Sequence, residues 1–223
     1  GKWEIALSVL GTMKEDDVDP SRVTYNAAIH ACTKGGAMAS ASGLVQELKQ
    51  AGLGADVVTY TSIIAGFMWK NDIKSVIDSF RQMKQDGVRP NEHTYACVLT
   101  ALTRGAEWKS ALDAYKDLLD QRILAPTSVH NMAITSHVRL GEWLKAVQTY
   151  MRMRSGRIRQ DVASHCLAIQ AHFLGNQREA GVRFLNQVLE NETDKQVIER
   201  CILTAVKACD RNQAWQQAVS LVD

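Results

Sequence analysis

Basic side chains recur along this 223-residue chain at nearly equal intervals, where helices are expected to end: Lys34, Lys70, Arg104 and Arg139. The predicted helices that contain them carry one acidic residue, Glu92, whereas most acidic residues fall in the helices between. One face should therefore be positive although the net charge is only +2. Such a face suits a phosphate backbone. Helix stabilisation is the alternative, because a cation near a helix C-terminus interacts favourably with the helix dipole.

Histidines also recur at a fixed spacing, which raises the question of a metal site. His130 and His165 are 35 residues apart, and so are His137 and His172. Neighbouring helices could bring such residues together, and histidine is a common zinc ligand. Each pair, however, falls in a column of the repeat described below, and periodic inheritance accounts for it. We therefore predict no metal ligand and no cofactor.

Cysteines and catalytic motifs give no sign of an active site. No CxxC pair occurs among the five cysteines: Cys32, Cys97, Cys166, Cys201 and Cys209. An odd number without that pair argues against a disulfide framework and a zinc knuckle, and fits a reducing compartment. The sequence also lacks a glycine-rich phosphate loop, a nucleophile triad and a deaminase motif. We expect no enzyme activity from this chain.

A repeated pattern explains these spacings. The motif Val-Thr-Tyr-Asn at 23–26 returns in altered form at 58–61, 93–96, 128–131 and 163–166. Small residues keep the same 35-residue spacing in another column: Gly1, Gly36, Asn71, Ala106, Gly141 and Asn176. Apolar residues do so in a third: Met13, Leu48, Met83, Leu118, Met153 and Val188. A fixed period of this length is typical of stacked-repeat proteins.

Each repeat is predicted to form a pair of helices, A and B. The boundaries are a half repeat at 1–21, repeats at 22–56, 57–91, 92–126 and 127–161, a degenerate repeat at 162–196 and a partial one at 197–223. In the first full repeat, helix A should run from about Thr24 to Lys34 and helix B from about Ala39 to Ala51. Gly52 should be the C-cap. No segment alternates like a strand, so the fold class is all-α.

Composition agrees with a folded repeat array. The chain is 46% hydrophobic and 22% charged, which is ordinary for a globular protein. No apolar run reaches the length of about 18 residues that a membrane span needs. The sequence begins at Gly1 without an initiator Met and stops inside an expected helix that starts near Trp215. We expect a fragment of a longer array, with any targeting segment outside it.

The repeat resembles the pentatricopeptide repeat. The resemblance is carried by the Val-Thr-Tyr-Asn motif that opens helix A, the Gly or Asn between helices, an early Ala in helix B, Phe/Tyr-x-x-Met later, and the exit Gly-Val-Arg-Pro-Asn at 87–91. The tetratricopeptide repeat is the alternative. It has a period of about 34 residues and a Trp-x-x-Leu-Gly-x-x-Tyr pattern, which no helix A here contains. The resemblance implies a right-handed superhelical solenoid of antiparallel helix pairs, with A helices on the concave side.

The resemblance also implies single-stranded RNA as the partner, bound one base per repeat. The family's base-recognition positions are the residue after the motif Tyr and the last residue of the repeat. Here they form three polar pairs: Asn26 with Asp56, Thr61 with Asn91, and Asn131 with Asp161. By resemblance, Asn with Asp implies uracil and Thr with Asn implies adenine. Ala96 and Cys166 depart from the pattern, which leaves a partial 5′-U-A-N-U-3′.

Other residues receive roles by the same resemblance, each with a structural alternative. Asp56, Asn91 and Asp161 precede an A helix and can be ordinary N-caps. Val23 and Val58 are expected to wedge between successive bases, or else to be helix-start staples. Lys34, Lys70, Arg104 and Arg139 are the expected phosphate contacts. The tryptophan column, which is Trp3, Trp108, Trp143 and, in shifted position, Trp215, should pack between repeats. For Trp69, packing is favoured over base stacking.

The family resemblance therefore implies an RNA-binding protein of a mitochondrion or chloroplast, active in transcript processing, stability or translation. The alternative is a scaffold subunit of a large organellar assembly such as a ribosome, which uses the solenoid for protein contacts. Ala96, Cys166 and the degenerate later repeats favour the scaffold, whereas the three polar pairs favour RNA. A helical peptide-binding module has no specific support.

Overall fold

The computed structural model describes residues 2–175 and 177–211. All the regular secondary structure in this part of the chain is helical. Within this part the chain forms α1 Lys2–Glu15, α2 Arg22–Lys34, α3 Met38–Gln50, α4 Val57–Trp69, α5 Ile73–Gln85, α6 Glu92–Arg104, α7 Trp108–Asp120, α8 Thr127–Arg139, α9 Trp143–Ser155, α10 Val162–Leu174, α11 Arg178–Asn191 and α12 Lys195–Arg211. The predicted all-α class is confirmed. The handedness of the superhelix stays a prediction.

The chain divides into two units. The first contains α1 to α6 and the end of α7 with its exit, Asp117–Ile123. In it, α2 packs against α1, α3 and α4, and α4 packs against α5 and α6. The second begins with Trp108–Lys116 and continues from Leu124. There, α8 packs against α9 and α10, and α10 packs against α12. Each helix pair thus covers its apolar face with another pair.

The core follows the 35-residue period. On the first helices the fully buried column is Ile29, Ile64 and Leu99 in the first unit and Ile134 and Ile169 in the second. On the second helices it is Leu48, Met83, Leu118 and Met153, the apolar column seen in the sequence. Complete burial of such a side chain stabilises the fold by about 1.5–3 kcal/mol. These columns therefore hold the stack together.

The observed helix ends differ from the predicted boundaries by one or two residues. Helix α2 begins at Arg22 and not Thr24, because the Ser21 side chain accepts a hydrogen bond from the Thr24 amide at 3.3 Å and caps the helix there. Helix α3 ends at Gln50 with Ala51 as its C-cap, and the predicted cap Gly52 follows it at φ +71°. A left-handed residue after the C-cap lets the last carbonyls be satisfied.

The last described helix also differs from its prediction. It was expected at about 197–208 and instead spans 195–211. The reason is local, because the Asp194 carboxylate accepts a hydrogen bond from the Gln196 amide at 2.9 Å and starts the helix early. The helix predicted near Trp215 lies outside the described residues.

Tryptophan packing between repeats depends on a glycine at the C-cap of the partner helix. Trp3 lies so close to Gly35 that a methyl group there would overlap the indole ring. A methyl group at Gly175 would lie 2.8 Å from Cβ of Trp143. These two tryptophans therefore have the packing role expected of their column. Trp69 does not, because 54% of its surface is exposed, and its predicted packing is wrong.

The motif tyrosines join neighbouring repeats through ion pairs in the first unit. Lys49 Nζ lies 2.6 Å from Asp86 Oδ2 and 3.0 Å from the Tyr60 hydroxyl, which itself donates to Asp86. One repeat later, Lys84 pairs with Asp117, and the Tyr95 hydroxyl donates to Asp117 at 2.6 Å. Lysine from one hairpin thus meets tyrosine and carboxylate from the next.

Histidine takes over the tyrosine column in the second unit. The Tyr115 hydroxyl lies 2.7 Å from His130 Nδ1, and the Tyr150 hydroxyl lies 3.0 Å from His165 Nδ1. Burial lowers the pKa of both histidines and raises the pKa of both tyrosines to about 12. Both residues of each pair are therefore neutral near pH 7. These histidines serve to link helices.

The Gly35 contact predicts a steric effect that helix propensity cannot produce. Gly35→Ala should destabilise the protein by about 1–3 kcal/mol, because the indole of Trp3 must move. Gly43→Ala is the matched control, since nothing lies within 4 Å of a methyl group at that helical position. It should stabilise the protein by about 0.5–1 kcal/mol. Urea unfolding followed by circular dichroism measures both, and two changes of the same sign would contradict the packing role.

The Lys49–Asp86–Tyr60 cluster predicts a pH dependence. Hydrogen bonds from Lys49 and Tyr60 lower the pKa of Asp86 from 3.8 to about 2. A lowered folded-state pKa gives stability that is present above about pH 4 and is lost as the pH falls towards 2. Asp86→Asn should therefore cost about 1 kcal/mol at pH 7, after allowance for solvent screening, and nothing below pH 2.

Unfolding midpoints of the Asp86→Asn variant and the parent, measured from pH 7 to pH 2, test this dependence. Asp78→Asn, on the helix that Asp86 caps, is the control, because its only ion pair within the described residues is the exposed contact with Arg81. Its difference from the parent should stay within about 0.5 kcal/mol. A pH-independent difference for Asp86→Asn would show that the carboxylate charge is not what stabilises the cluster.

Candidate nucleic-acid interface

The predicted pair Asn26 and Asp56 is in direct contact. Asn26 lies in the first turns of α2, and Asp56 ends the same repeat as the N-cap of α4. The Asn26 amide donates to Asp56 Oδ1 at 3.2 Å, and its carbonyl oxygen accepts from the Thr59 hydroxyl at 2.5 Å. These bonds fix the amide orientation, so the pair presents a defined donor and acceptor.

The pair Asn131 and Asp161 has the same geometry in the second unit. The Asn131 amide donates to Asp161 Oδ1 at 2.9 Å, and its carbonyl oxygen accepts from the Ser164 hydroxyl at 2.8 Å. The Ser164 amide also donates to Asp161 Oδ1 at 2.8 Å. Asp161 Oδ2 receives no hydrogen bond from the described residues. One carboxylate oxygen and one amide hydrogen thus remain for a ligand.

The third predicted pair, Thr61 and Asn91, is not joined directly. The Thr61 hydroxyl lies 2.7 Å from the Thr94 hydroxyl, which in turn bonds Asn91 Oδ1 at 2.9 Å. Thr61 is also buried, with 7% of its surface exposed. Its hydroxyl is therefore less accessible to a ligand than the amides of Asn26 and Asn131.

A hydroxyl column completes these networks, and it was missed from the sequence. Thr59, Thr94 and Ser164 each lie between two polar residues of the preceding repeat. One is the predicted base-recognition residue, and the other is the last residue of that repeat, which caps the following A helix. The signal was visible, because these residues are the Thr of the Val-Thr-Tyr motif and its Ser replacement. Val129 stands at this position in the intervening repeat, next to the repeat that has Ala96 as its recognition residue.

Capping, the alternative role for the second residue of each pair, is also present. Asp56, Asn91 and Asp161 each accept a hydrogen bond from the amide three residues on, and each forms a reciprocal capping box. Burial alone would raise the pKa of Asp56 and Asp161, but hydrogen bonds outweigh it and lower the pKa. The two carboxylates are therefore ionised acceptors at neutral pH, and capping leaves Asp161 Oδ2 open.

Two apolar side chains beside these pairs are exposed. Val23 is 77% exposed and Val58 is 53% exposed, both in the first turn of an A helix. A hydrophobic staple would be covered by the residue that it packs against. Their exposure argues against that alternative and leaves both side chains available to an apolar or aromatic surface.

The four predicted phosphate-binding residues lie at the ends of A helices, as expected. Lys34, Arg104 and Arg139 are the last residues of α2, α6 and α8, and Lys70 is the C-cap of α4. All four are exposed. None forms an ion pair with a carboxylate in the described ranges, although the Arg139 guanidinium lies 5.9 Å from the Trp108 ring centroid. They are cations without local counter-charges.

Two further properties concern the described residues. No cluster of three or more His, Cys, Asp or Glu side chains there has the arrangement of a metal site. None of the helices there combines the length and hydropathy needed to cross a bilayer.

Helix pairs with a 35-residue period and an Asn–Asp pair at their junctions define an α-helical repeat protein. Family comparison agrees with this class. Models described as PPR repeat family match 20–67 and 55–104, one described as pentatricopeptide repeat domain matches 1–35, and one described as PPR repeat matches 128–158. Together they cover more than half of the chain. The protein belongs to the pentatricopeptide repeat family.

Solved structures share the fold at low sequence identity. Maize PPR10 is 13% identical with a TM-score of 0.65 over 99% of this chain and 36% of that chain, so this chain spans about a third of its length. PPR10 with an 18-nt psaJ RNA element is 15% identical, with a TM-score of 0.55 over 97% of this chain and 30% of that chain.

A second kind of relative is protein-only RNase P from Arabidopsis thaliana. The PPR domain of PRORP1 in complex with tRNA is 18% identical, with a TM-score of 0.64 over 85% of this chain and 95% of that chain. PRORP2 is 12% identical, with a TM-score of 0.68 over 84% of this chain and 42% of that chain. A comparison with curated protein sequences finds no match.

Proposed function

We propose that the protein binds single-stranded RNA and contacts one base per repeat through its polar pairs. The observation that carries the proposal is the Asn131–Asp161 pair, which keeps an open carboxylate oxygen after all its described bonds are made. A structural cap needs only one acceptor. A preset donor beside a preset acceptor is what hydrogen bonding to a base edge requires.

The chemistry of the pairs suits particular bases. The Watson–Crick edge of uracil presents an N3–H donor between two carbonyl acceptors. An ionised Asp161 can accept from N3–H while the second amide hydrogen of Asn131 donates to a uracil carbonyl. Asn26 with Asp56 offers the same groups, although Asp56 Oδ2 also lies 3.4 Å from the Asn26 amide.

Adenine is the proposed base for Thr61 with Asn91. The Asn91 carbonyl oxygen already accepts from the Thr94 amide and hydroxyl, so the Asn91 side-chain NH2 is the group that can donate to adenine N1. The Thr61 hydroxyl oxygen can accept from the adenine amino group. Because Thr61 is buried and bonded to Thr94, we expect the weakest base preference at this repeat. Ala96 offers no polar group, and Cys166 replaces the amide in the fifth repeat. Three proposed bases give limited selectivity, so repeats beyond this stretch would share the recognition.

Exposed groups support contacts to the rest of the nucleotide. Val23 and Val58 can lie against base faces, and exposed Trp69 offers a larger stacking surface beside Lys70. Lys34, Lys70, Arg104 and Arg139 would bind phosphates, since each is exposed and lacks an ion pair in the described ranges. The RNA complexes of PPR10 and of the PRORP1 domain are consistent with this use of the fold.

The biological setting follows the family in this proposal. We propose a mitochondrial or chloroplast protein that takes part in RNA processing, stability or translation and itself carries out no catalytic step. The scaffold role is the second candidate, favoured specifically by the absence of a recognition side chain at Ala96. Base preference separates the two functions, because a protein scaffold has no need of one.

Exchange of one pair should change the preferred base. We expect Asn131→Thr with Asp161→Asn to move the preference at the matching base from uracil to adenine, by about 1–3 kcal/mol. Fluorescence anisotropy with single-stranded oligomers that differ at that base measures the change. Asp113→Asn, which removes one exposed carboxylate from α7, is the matched control and should leave the preference unchanged.

The outcome also decides between the two functions. Helix α10 should keep its cap in the double variant, because Asn caps about as well as Asp, so the unfolding midpoint should move little. If parent and variant bind uracil and adenine oligomers equally, the pair is only a cap. The scaffold function would then be the better one.

Salt dependence tests the phosphate contacts. Four cations imply a slope of log K against log salt of about −3, since each contact to a single strand adds about −0.7. Lys34→Ala, Lys70→Ala and Arg104→Ala together should reduce the magnitude of the slope by about 2. The control removes three exposed lysines from second helices, Lys74, Lys109 and Lys116. A slope equally reduced in both variants would show a diffuse field and no specific contacts.

A further inference from the structure

Two cysteines lie on neighbouring A helices that pack directly against each other. Cys166 lies on α10 in the column of Asn26 and Asn131, and Cys201 lies on α12, 35 residues further on. Cys166 is partly exposed, and its thiol donates to the Arg200 carbonyl at 3.8 Å. Cys201, the next residue after Arg200, is fully buried. Helices α10 and α12 pack directly against each other, so the contact belongs to a continuous interface.

The surroundings of Cys166 favour its thiolate. Hydrogen bonding from the Cys201 thiol lowers the pKa of Cys166, and the Thr204 hydroxyl and the positive charge of Arg200 act in the same direction against burial. The pKa of Cys201 is raised by the same contact and by its burial. Cys166 is therefore the more nucleophilic of the two thiols, and its sulfur lies against the residue that immediately precedes Cys201.

Cys32 and Cys97 provide a contrast within the same protein. Both are buried, and burial raises the pKa of both thiols. A buried, protonated thiol reacts slowly with oxidants, whereas a partly exposed thiol of low pKa reacts quickly. Oxidation should therefore be selective for one position in the chain.

We propose that Cys166 and Cys201 form an oxidation site for small peroxides, in which Cys166 reacts first and Cys201 resolves it to a disulfide between α10 and α12. The site does not depend on the proposed RNA function.

The chemistry balances in two steps with hydrogen peroxide. The Cys166 thiolate attacks one peroxide oxygen, the O–O bond breaks, a sulfur–oxygen bond forms, and hydroxide leaves and becomes water. The Cys201 sulfur then gives up its proton and attacks the Cys166 sulfenic acid, so that a sulfur–sulfur bond forms and a second water leaves. Two thiols lose two electrons and two protons, and the peroxide is reduced to two waters. A thiol such as glutathione can reverse the reaction by exchange.

Disulfide formation would alter both the surface and the packing of this region. The free thiol of Cys166 would be lost at the position that a base-recognition residue occupies in other repeats. Helices α10 and α12, which now pack against each other and share the hydrogen bond from Cys166 to the Arg200 carbonyl, would be joined covalently across a closed loop. The oxidised protein should therefore unfold at a higher temperature than the reduced protein.

Peptide mapping of the 223-residue protein tests the proposal. Fully reduced protein is treated with equimolar hydrogen peroxide, denatured in N-ethylmaleimide and digested with trypsin. Cleavage after Arg159, Arg178, Arg200 and Lys207 places the two cysteines in separate peptides, 160–178 and 201–207. We expect these peptides joined by a disulfide, and the Cys166 thiol lost at least about tenfold faster than that of Cys97.

Two variants identify the order of reaction. In Cys201→Ser, Cys166 should stop at the sulfenic acid, which dimedone traps, because the resolving thiol is absent. In Cys166→Ser, Cys201 should stay reduced. Circular dichroism confirms that each variant is folded, and the experiment on the parent protein does not depend on them. Peroxide loss at Cys166 equal to that at Cys97, or oxidation of Cys166 without the joined peptide, would overturn the proposal.

Discussion

Burial between consecutive helix pairs is the interaction on which the rest of this structure depends. Ile64 and Met83 of one pair are fully buried, and the helices that carry them pack against neighbouring pairs as well as against each other. The need to bury these side chains recurs every 35 residues, so the hydrophobic core extends along the repeats and has no single centre. Helix caps, tyrosine contacts and polar pairs all lie at the junctions that this stacking creates.

The junctions hold their polar groups in networks that link adjacent repeats. Asp161 caps α10, orients Asn131 and accepts from Ser164, and still keeps one oxygen open. Capping and base recognition are therefore compatible in one carboxylate. The cap holds the carboxylate in place, so a ligand would not have to order that side chain on binding.

The tyrosine column shows how one structural requirement is met with different residues. In the first unit the tyrosine hydroxyl donates to a carboxylate that a lysine of the preceding repeat neutralises. In the second unit, Tyr115 and His130 form a neutral hydrogen bond instead. The carboxylate also moves by one helical turn, since Gln82 with Asp86 is followed one repeat later by Asp117 with Gln121. Each change keeps a partner for a polar group at the junction, which is what low exposure requires.

Much of this protein was determined by the sequence alone. Helix pairs, their period, the buried columns and the Asp and Asn caps could be predicted, because helix periodicity and capping depend on residues within one or two turns. The Asn–Asp pairs could be named through the family resemblance, and their cap positions were evident. Helix ends were off by one or two residues where a nearby side chain, Ser21 or Asp194, set the first turn.

Only the tertiary structure decided which of the predicted residues are open to a ligand. Thr61 is buried whereas Asn26 is partly exposed, although both occupy the same place in the repeat. Trp69 is exposed where packing was expected, and the Cys166 thiol lies 3.8 Å from the Arg200 carbonyl oxygen on α12. In each case the deciding neighbour stands in another helix, up to 35 residues away along the chain. Exposure depends on what the adjacent repeat places opposite a side chain, and no local pattern contains that information.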